Sequence, residues 1–121
     1  MSGSSGDYNN KYSMQDVLRA HREWLSASAE SSSTSAFLLS AKTKQAIDLA
    51  RLGELQSYLN ASEDEEEKGT LGDMVTDAEE SLEESQARVV SLEARLVTLQ
   101  ANEVLLRTHY RFIYALYERS I

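Results

Sequence analysis

From Val75 to the C-terminus the chain repeats a core-type residue every three or four positions, almost without interruption. The a-type positions are Val75, Leu82, Val89, Leu96, Glu103, Tyr110 and Tyr117. The d-type positions are Ala78, Ser85, Leu92, Leu99, Leu106, Ile113 and Ser120. No glycine or proline falls inside that run. An α-helix turns once every ~3.6 residues, so a mean spacing of ~3.5 keeps one narrow seam facing a partner helix. The repeat predicts a single helix of about 70 Å at ~1.5 Å per residue. Its apolar seam is Val75, Leu82, Val89, Leu92, Leu96, Leu99, Leu106 and Ile113, and a seam of that kind requires a second helix to cover it.

The first half of the chain is the nearest source of that partner. Proline is absent and no stretch alternates polar and apolar residues in the manner of a strand, so the expected class is all-α. Residues 1–12 read as a tag-like start, Met1-Ser-Gly-Ser-Ser-Gly6 followed by polar residues and two tyrosines. Ser13 is an N-cap candidate, with Asp16 three residues on in the capping-box position. A first helix is expected over about 14–30, with Met14, Val17, Leu18, His21, Trp24 and Leu25 on one side. The Ser/Ala-rich stretch from Ser26 to Ser35 predicts a break, because serine competes for backbone hydrogen bonds. A second helix is expected over about 36–60, with a stripe of Leu38, Ala41, Gln45, Leu49, Leu52 and Leu59 widened by Phe37, Ile47 and Leu55. Residues 61–69 are acidic, lack apolar periodicity and end on Gly69, which predicts a loop. The last helix should then run over about 71–119, capped by Thr70 or Asp73.

The two arms around that loop match in length, 49 residues from Met14 to Ser62 and 50 from Thr70 to Arg119. Folding back places residues whose numbers sum to about 130 opposite each other. Trp24 then lies level with Leu106 to Tyr110, and the aromatic-rich ends coincide only in the antiparallel pairing. The expected fold is therefore a single helical coiled-coil domain over 13–121, a long antiparallel helical hairpin whose first arm is broken at the serine stretch. The alternative is a three-helix bundle, if that stretch is a full turn.

The net charge of −8 is concentrated in one place. Eleven acids and one lysine lie between Glu63 and Glu84, whereas residues 85–121 hold five arginines and three glutamates. This balance disfavours nucleic acid and anionic membranes, which need clustered basic residues. No apolar run approaches the roughly 18 residues of a membrane span. With no cysteine, disulfides and thiolate metal sites are excluded.

Few residues suggest chemistry. His21 and His109 sum to 130 and could meet, but no ligand-type His, Cys or Asp lies at i+3 or i+4 to either, and a metal needs three or four ligands. Asp64 to Val75 resembles a calcium loop in length, with Lys68 at the fifth position and Val75 where a bidentate glutamate is required. The carboxylate pairs Glu79/Glu83 and Glu80/Glu84 read as a solvated face. No phosphate loop, nucleophile elbow or triad spacing is present, so no enzyme activity, cofactor, metal or small-molecule substrate is expected. Ser62, followed by Glu-Asp-Glu-Glu-Glu, resembles an acidophilic kinase site and is a possible phosphosite.

The C-terminal stretch from Arg107 to Arg119 carries more aromatic and apolar residues than one seam can bury. Together with Trp24 it suggests a partner or dimer surface of Arg107, Tyr110, Arg111, Phe112, Tyr114, Leu116 and Tyr117. The expected function is a non-enzymatic coiled-coil structural or protein-interaction element of a larger cytoskeletal or scaffold assembly in the cytoplasm. It would mediate oligomerisation, a homodimer first, or dock a protein partner. The alternative is a compact three-helix module that accepts a partner helix or peptide.

Overall fold

A computed structural model describes residues 12–121. Helix α1 spans Met14–Ala61 and helix α2 spans Glu65–Ser120, with only Ser62, Glu63 and Asp64 between them. The two helices pack against each other as an all-α hairpin, and no strand occurs among the described residues. By its contacts the chain divides into two units, residues 34–95 and residues 12–33 with 96–121. The tag-like start falls outside the described residues, apart from Tyr12.

Both helix starts are capped by their own side chains. Ser13 N–H donates to Asp16 Oδ2 at 2.9 Å, and Asp16 N–H donates back to Ser13 Oγ at 3.3 Å. This is the reciprocal box the sequence announces. At α2, Glu66 N–H donates to Asp64 Oδ1 at 3.2 Å, and Lys68 N–H donates to Asp64 O at 2.9 Å as the first helical bond. Glu65, Glu66 and Glu67 fill the first turn, where the helix dipole favours negative charge.

Three expectations are corrected. The loop expected over 61–69 is shortened to residues 62–64, because Asp64 caps a helix that starts at Glu65 rather than near Thr70 or Asp73. The serine stretch does not break the first arm, since α1 runs unbroken through it. Serine costs roughly 0.5 kcal/mol per helical position against alanine. Here Ser31 and Thr34 occupy core positions of the heptad and are buried, so packing overrides that weak preference. With α1 unbroken, the three-helix alternative falls too.

The α1 stripe is the third correction. Its inward positions are Val17, Ala20, Trp24, Ala27, Ser31, Thr34, Leu38, Ala41, Gln45, Asp48, Leu52, Leu55 and Leu59, alternating three and four residues apart. Leu49, Phe37 and Ile47 are exposed, and Asp48 takes the place expected for Leu49. On α2 the eight apolar seam residues are all buried or half-buried, with Val75, Val89 and Ile113 the deepest. Within residues 34–95 the core centres on Leu55, Val75 and Ala78, with Leu52, Leu59 and Leu71 packed against it. Within residues 12–33 and 96–121, α1 contributes Val17 and Trp24 with the small buried residues Ala20, Ala27 and Ser31, while α2 brings Leu99, Leu106, Tyr110 and Ile113. Among the described residues no helix is long and apolar enough to cross a membrane.

Gly53, Gly69 and Gly72 all lie inside helices with negative φ, and a Cβ added at any of them would meet nothing within 4 Å. Helical glycine costs ~0.8–1 kcal/mol against alanine. The triple alanine variant is therefore expected to raise the unfolding free energy by about 2 kcal/mol, read from urea unfolding followed by circular dichroism.

Candidate protein-interaction site

Within residues 34–95 the seam is interrupted by one polar layer. Lys44 Nζ donates to Asp48 Oδ2 at 2.8 Å and to Ser81 Oγ and Ser85 Oγ at 3.4 Å, which uses all three of its protons. Ser85 Oγ also lies within hydrogen-bond reach of Asp48 Oδ2 and of Ser81 O. Asp48 and Ser85 are both buried d-position residues, and they face each other across the two helices. A heptad slip would set Asp48 against Ala78 or Leu92, leaving a buried carboxylate without Ser85. The layer therefore favours one register over its neighbours.

Lys44, then Ser85, hold the Asp48 carboxyl below its ordinary value of 3.8. A depressed carboxyl contributes stability above the unfolded-state value and loses it as pH falls through the folded one. The stability difference between wild type and Asp48→Asn is thus expected to be flat above about pH 5 and to shrink in acid. Parallel urea titrations of the two proteins measure it. Taking the difference cancels the opposing effect of the acidic stretch, whose mutual repulsion fades at low pH.

Within residues 12–33 and 96–121 the seam holds an aromatic cluster. Trp24 stacks on Tyr110 with centroids 5.5 Å apart and planes 27° apart. His21 approaches Tyr110 at 5.0 Å and Trp24 at 5.8 Å, and Tyr114 joins Tyr110 at 6.0 Å. The antiparallel register expected from the sequence brings these residues together. Trp24 Nε1 is buried without a hydrogen-bond partner. His109 is exposed and does not join His21. Among the described residues no three His, Cys, Asp or Glu side chains are placed to hold a metal ion.

The expected partner surface is therefore divided. Trp24 and Tyr110 pair with each other, and Arg107, Leu116 and Tyr117 are half-buried. Arg111, Phe112 and Tyr114 remain exposed. A second apolar row joins Phe112 on the outer face of α2, made of Val97, Ala101, Val104, Leu105 and Thr108. At ~100° per residue these fall within about 60° of one direction, opposite the seam. Val97 is 67% exposed, Leu105 68% and Phe112 58%. The a/d frame alone overlooks Val97, Val104 and Leu105; the signal is their b and c places in the same heptad. Ser62 lies in the connector, half-buried, with its hydroxyl donating to Asp64 O at 3.4 Å.

No protein-family model matches this chain, and no curated protein or solved structure is significantly similar to it.

Proposed function

We propose that this chain is a non-enzymatic coiled-coil element that docks a partner helix on the outer face of α2 between Val97 and Phe112. The observation that carries the reading is that row of exposed apolar side chains, uncharged over four turns and lying outside the hairpin seam. Burying one Val, Leu or Phe side chain contributes roughly 1.5–3 kcal/mol, so a contiguous row left in water marks an interaction surface. The expected occupant is an amphipathic helix with acidic flanks, because Arg107 and Arg111 border the row. In this reading the hairpin belongs to a larger cytoplasmic scaffold or cytoskeletal assembly, and its acidic stretch stays solvated.

The test compares wild type with Leu105→Glu/Phe112→Glu. Both side chains are exposed, so helicity should be unchanged. A protein captured by wild type is purified and its affinity for both forms is measured. At least a 100-fold loss for the variant is expected. Equal affinity for the two forms would remove this face from the reading.

A further inference from the structure

A different uncharged face lies on α1 in the unit of residues 34–95. Ala36, Leu39, Thr43, Ala46, Ile47 and Ala50 share one helix direction within about 60° at ~100° per residue. They point away from the seam residues Leu38, Ala41, Gln45 and Asp48. Leu39 is 68% exposed and Ile47 is 62% exposed. With Ser40 and Lys44, four of these side chains, Ala36, Leu39, Thr43 and Ile47, line a shallow groove along the helix.

The face is matched in size to itself. Reflecting positions about Thr43 pairs Ala36 with Ala50, Leu39 with Ile47 and Ser40 with Ala46. An antiparallel copy of α1, related by a two-fold axis at Thr43, would set large side chains beside large and small beside small. Such self-matching is what a closed two-fold interface requires. The small residues near the centre let two helices approach to the short end of the usual 8–10 Å range.

Charge opposes a second copy less here than on the other faces. The lysines that border the stripe already hold acids of their own chain, Lys44 with Asp48 at 2.8 Å and Lys42 with Glu93 at 3.7 Å. The outer face of α2 in the same unit gathers Glu79, Glu80, Glu83 and Glu84, so a second copy there would press acid on acid. The row from Val97 to Phe112 is bordered by Arg107 and Arg111, which would meet their own copies. On the α1 stripe the axis at Thr43 brings Lys42 of one copy level with Lys44 of the other, and Glu93 and Asp48, already beside these lysines, offset the like charges.

We propose that a second copy of this chain packs on α1 between Ala36 and Ala50, the two α1 helices running antiparallel about Thr43. This surface is independent of the α2 row, and either can fail alone.

The absence of cysteine makes single-cysteine crosslinking of the full chain clean. Thr43→Cys, at the axis, should form a covalent dimer under mild oxidation, since a disulfide needs Cα atoms within ~7 Å. A mixture of Leu39→Cys and Ile47→Cys chains should link to each other in preference to themselves. Leu39→Glu/Ile47→Glu should weaken dimerisation at least 100-fold by light scattering, with circular dichroism unchanged. A chain that stays monomeric at its highest soluble concentration overturns the proposal. So does a dimer that survives Leu39→Glu/Ile47→Glu, or one abolished by Leu105→Glu/Phe112→Glu instead. Preferential Leu39–Leu39 linkage would mean parallel pairing and would equally overturn it.

Discussion

Leu55→Ala is expected to lower the unfolding free energy by about 3 kcal/mol, whereas Leu49→Ala should change it by less than about 0.5. The two leucines lie six residues apart on the same helix and differ only in the face they occupy. Leu55 is buried with Val75 and Ala78, with Leu52, Leu59 and Leu71 around it. Removing its side chain leaves a gap that two rigid helices close only in part, so the lost transfer energy and the cavity add. Leu49 is exposed and touches no such cluster. Small domains have unfolding free energies near the low end of ~5–15 kcal/mol, so the loss at Leu55 is a large share of the whole. Urea unfolding of both variants, followed by circular dichroism, gives the comparison. Equal losses would mean that the α1 heptad is framed on Leu49 rather than on Asp48.

That frame marks the boundary of what the sequence makes legible. The α2 seam is legible because most of its a and d positions are Val, Leu or Ile, and the structure buries or half-buries them. The α1 seam is obscured because its core positions include Ala20, Ala27, Ser31, Thr34, Ala41, Gln45 and Asp48. Hydrophobicity alone then draws Leu49 and Ile47 inward. Their exclusion follows from the strict three-four alternation that begins at Val17, and from Lys44 and Ser85 supplying Asp48 with partners. The start of α2 is hidden for another reason. Its first turn is made of glutamates, which carry no apolar period and act through the helix dipole and the Asp64 cap. The exposed row on α2 is legible only when the heptad is followed to its b, c and f positions.

The aromatic cluster carries the second large effect. Trp24→Ala is expected to destabilise by about 2–3 kcal/mol, below the full range for a buried Trp because the residue is half-exposed. It removes the stack on Tyr110 and the edge contact with His21. Trp24→Phe should behave differently. It keeps a ring for Tyr110 while deleting Nε1, a buried donor with no acceptor whose desolvation costs roughly 1–3 kcal/mol. The lost ring area offsets that relief, so the Phe variant should lie within about 1 kcal/mol of wild type. A double-mutant cycle of Trp24→Ala with Tyr110→Ala isolates the stack, for which ~0.5–1.5 kcal/mol of coupling is expected. Coupling near zero would mean that Trp24 and Tyr110 do not meet in solution. If Trp24→Phe proves as damaging as Trp24→Ala, the indole nitrogen has an acceptor, and the ring is held by that bond rather than by stacking alone.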